Sequence, residues 1–546
     1  MWQRDAAMTM GTLLRSLTTA PNQVFASVMR NQSSAIRRQL VNYVELLPRL
    51  WDQWDPNTLC PPWYEDKPGW CAKMGEPKYF VNGSVYNKPW GRPQNDGPAL
   101  AGVFLAELAN AILDAGDEIP GHAEELQTRL LSGGEGTGKT GAEPSRSTRR
   151  MPRWVAIHED ATHEVFDATP CCGTTGILYD ALNFVNTWYN EGSTEPWEEI
   201  YGQAFFLAEV QRLALVTGVR YARRKGLNAS AVWPKSGYSN WVYSEKNLRK
   251  VSKSFVSQET TDGTTTATTG FPMGLEYEYV QAMTGRQQGL AGPKCINSAS
   301  QWRGVRLLND AAVWGTFGEL MPWSGFAELR SLCLLAPCEL DVQTLIAANY
   351  LAGAPDAAPE DRVLPPHDYR LVNTARLLVK SMAPYYEVNA VDRSNGFVGL
   401  LIGRYPGDTY CGYGDCPKND FGNPWFITTH ALAEQLYFLA FAWCKDQLNL
   451  QDAKAVSHLW EELSHGKVTG WNTIQMGDSV MKNAKEHVIM PGVHMSEEIK
   501  KSGPDAGQQA GVPDLTWSYS SALSALLARH QAIRACRRRG ARQCRA

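Results

Sequence analysis

Apolar residues recur at spacings of three and four along most of this chain. Ile36, Leu40, Val44 and Leu47 form one stripe, and Leu100, Val103, Phe104, Leu108 and Ile112 form a second. Leu178, Leu182 and Val185 make a third, followed by Phe205, Phe206, Val210 and Leu213. Leu371, Ala375 and Leu378, then Leu432, Leu436, Phe438 and Leu439, then Leu515, Tyr519, Leu523, Leu526 and Leu527 complete the set. A period near 3.6 places each group on one face of a helix, so each stripe predicts an amphipathic helix. Strand-type alternation is scarce, and the predicted class is all-α.

Connections rich in Gly, Pro and Trp separate these helices, notably 51–98 and 403–428. Long connections in a compact domain carry function or lack order, and a high tryptophan content argues against disorder. Two stretches break the helical pattern. Residues 131–170 are polar and Gly-rich, then basic from Ser145 to Arg153. Residues 256–335 contain a Thr-rich, low-complexity run from Glu259 to Gly270. Both read as irregular insertions in a single helical domain spanning 1–536. Arg537, Arg538 and Arg539 open a basic tail, 537–546, which reads as a solvated end rather than a binding arm.

Composition narrows the function classes. A net charge of −3 gives no reason to expect nucleic acid or an anionic membrane as partner. No run of 18 apolar residues exists, so no membrane span is expected. The 19 tryptophans are unusual; most read as core filler, but Trp2, Trp90, Trp197, Trp425 and Trp517 stand in loop-like contexts suited to a sugar-lined cleft. Among the 12 cysteines, Cys60 with Cys71 and Cys411 with Cys416 are close pairs in turn-rich segments. Disulfides of a secreted protein fit them better than zinc, because no second CxxC or histidine lies at ligand spacing. Asn31, Asn82 and Asn228 head N-glycosylation tripeptides. No metal or organic cofactor is expected.

Two acidic segments near tryptophan carry the candidate chemistry: Glu195-Pro-Trp-Glu-Glu199, and Ser496-Glu497-Glu498 ahead of Asp514-Leu-Thr-Trp517. Cleaving a glycosidic bond needs one carboxyl that keeps its proton near neutral pH and a second that stays ionised. Apolar ring walls favour the protonated state of the first by desolvating its charged form. A competing motif, Gly133 to Thr140, fits the phosphate-binding pattern GxxxxGK[ST]. It lacks the strand before and the apolar-faced helix after that the chemistry requires, and reads as a chance match.

The run Gly75-Glu-Pro-Lys-Tyr79, then Tyr86 and Trp90-Gly-Arg-Pro-Gln-Asn-Asp-Gly-Pro-Ala-Leu100, closely resembles the fungal-type glucoamylases, the inverting glycoside hydrolase family 15. The likeness continues in order through Pro196–Phe206, Gly403–Tyr410, Gly422–Phe426 with Ala433–Tyr437, and Ser496-Glu497 with Asp514–Tyr519. It implies an (α/α)6 toroid of helical hairpins. It also implies exo-acting release of glucose from the non-reducing ends of starch, glycogen and maltooligosaccharides, by a monomer. Glu198 would be the general acid and Glu497 the general base, their carboxyls about 6.5–9.5 Å apart to admit a water. Arg4 and Asp5 of the Trp2-Gln-Arg-Asp5 block, with Glu199, Arg404 and Asp408, would hold sugar hydroxyls. Tyr86, Trp90, Trp197, Trp425 and Trp517 would wall the site.

Departures from the family pattern are local. Glu195-Pro196 replaces a usual Asp-Leu and is expected to tilt the acid loop. Asn95 replaces a usual Arg. Glu498 follows the base where Gln is common, and a second carboxylate is expected to raise the pKa of Glu497 by repulsion. The family block that Trp2 begins normally follows a signal peptide and a first helix. The expectation is therefore an N-terminally truncated toroid, secreted or vacuolar in its full-length form, with no signal peptide in this chain and no starch-binding module. Two rivals stay open: a carbohydrate-binding protein that cannot turn over, and a nucleotide-binding protein resting on residues 133–140 alone.

Overall fold

The computed structural model describes residues 2–19, 23–51, 53, 74–114, 177–188, 193–224, 341–353, 365–463 and 470–543, apart from positions 87, 89, 200, 203, 204, 397, 413, 415 and 418–420. Both expected insertions, the Gly133–Thr140 motif, Cys60, Cys71 and Asn228 lie outside the described residues. The chain divides into two compact units, Met1–Gln203 with Val210–Gln288, and Ala204–Glu209 with Gly289–Ala546.

In the first unit, α1 (Gln3–Thr19) packs on α2 (Gln23–Trp51) and α3 (Asp96–Asp114), and α3 packs on α4 (Ile177–Trp188). The stripes drive this: Leu40, Val44 and Leu47 of α2 and Leu100, Val103 and Phe104 of α3 are all buried. Burial of a leucine or phenylalanine contributes about 1.5–3 kcal/mol each. Helix α1 has no comparable stripe. Its inward residues mix Ala7, Met8 and Leu14 with Thr12, Arg15 and Ser16. Arg15 is neutralised by Glu107 of α3 at 2.8 Å. In α5 (Phe205–Arg224), a Cβ on Gly218 would come within 2.4 Å of Leu182, so only glycine permits that approach to α4. The strands β1 (Ser193–Thr194) and β2 (Tyr201–Gly202) pair antiparallel around residues 195–200.

In the second unit, α9 (Phe426–Cys444) packs against α6 (Gln343–Gly353), α11 (Gly470–Glu486) and α12 (Thr516–Gln543). Helix α7 (Tyr369–Met382) packs on α10 (Leu450–Leu463), and α8 (Glu387–Ser394) follows a short 3-10 turn at Ala383–Tyr385. Every side chain of α9 from Phe426 to Ala440 is buried, as expected of a helix enclosed on all sides. Most of its polar side chains are bonded, although Gln435 Oε1 has no hydrogen-bond partner among the described residues. Thr428 donates to the Ile402 carbonyl at 2.6 Å, Tyr437 donates to Asp478 at 2.8 Å, and Ser524 of α12 donates to Glu434 at 2.5 Å. A disulfide joins Cys444 at the end of α9 to Cys536 of α12. The strands β3 (Glu498–Ile499) and β4 (Gln509–Ala510) pair antiparallel.

All seven apolar stripes fall on helices, α2, α3, α4, α5, α7, α9 and α12, with Leu515 of the last standing one residue ahead of α12. The segment expected to be a basic tail from 537 is instead helical to Gln543. Arg539 donates to the Trp443 carbonyl and lies 2.9 Å from Asp446, whereas Arg537 and Arg538 are exposed. Among the described residues no helix is long and apolar enough to cross a membrane. Asn82 is exposed in a turn, its side-chain oxygen accepting from Ser84, while Asn31 stands within α2.

Candidate active site

The candidate residues fall into two groups, each held within one unit. The first is built from the start of α1, residues 74–96 and the loop between β1 and β2. Gln3 N–H donates to the Pro77 carbonyl at 2.9 Å, and Gln94 N–H donates to the Gly75 carbonyl at 2.9 Å. Thr194 N–H donates to the Pro93 carbonyl at 2.8 Å, which fastens the acid loop to the Trp90–Asp96 segment. Beneath this lies Arg92, fully buried and paired with fully buried Glu76 at 2.7 Å. A cation without a partner there would cost several kcal/mol.

Glu198 is part-buried, Trp197 buried and Glu199 exposed. Glu198 has φ of 69°, a left-handed backbone that a non-glycine residue adopts only when its surroundings enforce it. Glu195 supplies much of that enforcement. Its carboxylate accepts the Trp197 N–H at 2.7 Å and the Glu199 N–H at 2.8 Å, while its carbonyl accepts the Glu198 N–H at 2.8 Å. The Glu195-Pro196 departure thus braces the loop. Gln94 Nε2 donates to Glu198 Oε1 at 2.6 Å, and the Trp90 indole N–H bonds the same carboxyl. Burial pushes the Glu198 carboxyl up to about 7, against the opposing pull of Arg4, Gln94, Trp90 and Lys78.

Arg4 is buried and bonded three ways: to Asp96, to Gln94 Oε1, and to the Pro196 carbonyl at 2.8 Å. It therefore grips the acid loop from α1. One carboxylate oxygen of Asp96, the first residue of α3, pairs with Arg4, and the other has no hydrogen-bond partner among the described residues. Asp5 is buried beside Arg4, which it favours in charged form. Lys78 places its ammonium 4.4, 4.1 and 3.1 Å from the ring centroids of Trp2, Tyr86 and Trp90. Burial lowers it to about 8. Trp90 is 38% exposed, so its ring offers an open face beside Glu198. Asn95, in the place of the usual Arg, is buried, and neither amide atom has a hydrogen-bond partner among the described residues.

The second group surrounds the turn from Gly403 to Asp408 and the segment before β3. Arg404 and Asp408 form a buried bidentate pair at 2.8 and 2.5 Å. The Arg404 guanidinium lies 5.2 Å from the ring centroids of Tyr410 and Trp425, within cation–π range. A Cβ on Gly422 would come within 2.5 Å of Asp408, so that position must stay glycine. Trp425 and Trp517 are buried.

Glu497 is part-buried and its carboxylate accepts hydrogen bonds, from the Tyr410 hydroxyl at 3.1 Å and the Val512 N–H at 3.3 Å. Gly511 has φ of 73° and would place a Cβ 2.4 Å from the Glu497 carboxylate. Glu498, next in the chain, is fully buried. Burial above all pushes the Glu498 carboxyl up to about 9, and the neighbouring Glu497 adds to the rise. A disulfide joins Cys411 to Cys416, as the spacing predicted.

Sequence reasoning gave no role to Lys78, Gln94 or Asn423, expected Glu195 only to tilt the acid loop, and did not pair Cys444 with Cys536. Lys78, Gln94 and Asn423 stand inside the blocks that carry the family resemblance, and Glu195 is two residues from Trp197. No local signal marked the cysteines, which are 92 residues apart.

Solved glucoamylases from Hormoconis resinae and Saccharomycopsis fibuligera match 97% of this chain with TM-scores of 0.55 and 0.53, at 18% identity, over 65% and 86% of their own lengths. The fold is thus the all-α, (α/α)6 fold of the glucoamylases. Residues 1–132 and 175–527 match the model of glycosyl hydrolases family 15, and the chain belongs to that family. A glucoamylase of Blastobotrys adeninivorans is 25% identical over 97% of the chain, and an intracellular sporulation-specific glucoamylase of Saccharomyces cerevisiae is 25% identical over 84%. The chain spans 65% and 66% of the lengths of these two relatives.

Proposed function

We propose that this chain hydrolyses terminal α-1,4-linked glucose, and α-1,6-linked glucose more slowly, from the non-reducing ends of starch, glycogen and maltooligosaccharides. The observation that carries the proposal is Glu198. Its carboxyl is held by Gln94 and Trp90 on a braced, left-handed backbone and is poised at about 7. A general acid works best with a pKa near the working pH.

In this reading Glu198 gives its proton to the glycosidic oxygen as the bond from C1 breaks. Glu497, its carboxylate oriented by Tyr410 and Val512, takes a proton from water. That water attacks C1 from the opposite face, so the product is β-D-glucose. Positive charge spreads over the ring in the transition state, where Asp5 and Glu199 supply negative charge. Arg404, fixed by Asp408, and Arg4 set the hydroxyl-binding side, and the rings of Tyr86, Trp90, Trp197, Trp425 and Trp517 wall the site.

Residues 1–536 form one catalytic domain in this proposal, acting as a monomer. Secretion or vacuolar residence is supported by the Cys411–Cys416 and Cys444–Cys536 disulfides, which persist in oxidising compartments. The test is glucose release from maltooligosaccharides by the purified chain and by Glu198→Gln. The proposal expects release by the first, and a kcat about 10²–10⁴-fold lower in the second with KM little changed. Substrate binding without release by the parent chain would instead leave a carbohydrate-binding protein.

A further inference from the structure

The hydrolytic reading leaves Glu498 unused. Successive residues of an extended segment point to opposite faces. Glu497 accordingly stays part-exposed while Glu498, the first residue of β3, turns wholly inward. Asn423 defines how its carboxyl is met. The Asn423 side-chain oxygen accepts the Lys501 N–H at 3.2 Å, which turns its Nδ2 toward Glu498 Oε2 at 2.9 Å. Oε2 is therefore an acceptor, and Oε1 has no hydrogen-bond partner among the described residues.

The nearby cation does not neutralise this carboxyl. Arg404 directs Nε and one Nη to Asp408. The titratable and charged groups facing Glu498 are Glu497 on its own segment, Arg404 and Asp408 from the preceding turn, Tyr386 ahead of α8, and Tyr410. Two of these are carboxylates. A buried carboxylate with one amide donor and two anionic neighbours is far costlier than a buried carboxylic acid with one unpaired hydroxyl.

We propose that Glu498 is a carboxylic acid kept protonated in the folded chain, a positioning neighbour that leaves Glu497 as the ionised member of the pair. In shape and polarity a neutral glutamic acid approximates glutamine, with a carbonyl oxygen facing Asn423. The assignment of charge to Glu497 rests on the reading of that residue as the base; the protonation of Glu498 does not.

Linkage gives the sign of a stability test. The carboxyl titrates near 4.5 unfolded and is raised to about 9 in the fold. Its contribution to stability is fully present below about pH 4.5 and is lost progressively as pH rises toward 9. Near pH 7 folding must take up a proton at Glu498, and Glu498→Gln abolishes that uptake.

The experiment is infrared difference spectroscopy of the full chain at pH 8, wild type minus Glu498→Gln. At that pH Glu198, raised to about 7, and Glu76 and Asp452, each raised to about 6, are mostly ionised. The expected result is the carbonyl stretch of a protonated carboxyl in wild type, absent from the variant. No such band would overturn the proposal. If the variant fails to fold, 13C-carboxyl-glutamate NMR of wild type alone serves: one glutamate carboxyl still protonated at pH 8 supports it, and none overturns it. The acidic limb of kcat against pH tests the assignment of charge. It should stay in place in Glu498→Gln, and a downward shift would mean that Glu498 had been repelling Glu497 as an anion. Full activity in Glu497→Gln would remove the base reading and leave the spectroscopic result standing on its own.

Discussion

Gln94 donates its side-chain N–H to Glu198 Oε1 across 2.6 Å. Its side-chain oxygen accepts from Arg4 at the same time. One amide therefore links the candidate acid to a buried cation, and the orientation of that amide is set by both partners. Because Gln94 donates, it favours the ionised carboxyl and opposes the upward push of burial.

That opposition fixes a sign. As the proposed general acid, Glu198 would have to be protonated to act, so kcat should fall as pH rises through about 7. Gln94→Leu removes a bond that favours the charged form, and the alkaline limb should move to higher pH. A kcat–pH profile of the two proteins checks this; a limb that moves to lower pH contradicts it.

Glu195 is expected to matter without touching substrate. Its carboxylate holds the N–H groups on either side of Glu198. Glu195→Ala leaves those donors unsatisfied, costing about 1–3 kcal/mol of stability. It also frees the left-handed backbone of Glu198, with a loss in kcat of up to about 10²-fold. Glu195→Gln keeps one strong acceptor and should recover part of both. Thermal unfolding and kcat measured together separate this role from a general loss of fold, in which no recovery by glutamine is expected.

Arg404 and Asp408 are only 3% and 2% exposed, so the pair is desolvated. Arg404→Ala strands the Asp408 carboxylate and should destabilise the protein by about 3–5 kcal/mol. Arg404→Ala combined with Asp408→Ala should recover part of that loss, because no buried charge is left alone. Denaturant midpoints for the four proteins give the coupling directly; additive effects would contradict it.

The Cys444–Cys536 bridge closes a loop of 92 residues and ties α9 to α12. Removing it with Cys444→Ser is expected to cost on the order of 4 kcal/mol through the entropy of the unfolded chain. The Cys411–Cys416 bridge spans only five residues and should cost less. Unfolding of each variant by urea ranks the two, and a larger loss at Cys411 would contradict the loop-length argument.

Periodicity recovered the helices whose inward faces are apolar and whose outward faces are not. It passed over α6, buried from Gln343 to Ala352 with polar and apolar residues intermixed, since a helix enclosed on all sides shows no stripe. It passed over α1 because Thr12, Arg15 and Ser16 share the buried face with Met8 and Leu14. Local motif and family likeness brought out Glu198, Glu497 and the ring-bearing segments. The roles of Gln94 and Lys78 were not legible, because each depends on contacts with residues distant in sequence: Gln94 with Glu198, and Lys78 with Trp2. At Glu498 the sequence argument named the repulsion between two adjacent carboxyls but not the burial that leads the rise there. Burial decides which of two adjacent carboxyls keeps its proton, and sequence does not report burial.

The most direct test is the anomeric form of newly released glucose, followed by proton NMR during the first turnovers on a maltooligosaccharide. An acid at Glu198 and a water-activating base at Glu497 predict β-glucose first, with the α-anomer growing in by mutarotation. Glucose released first as the α-anomer would contradict the assignment of Glu497 as a base acting through water.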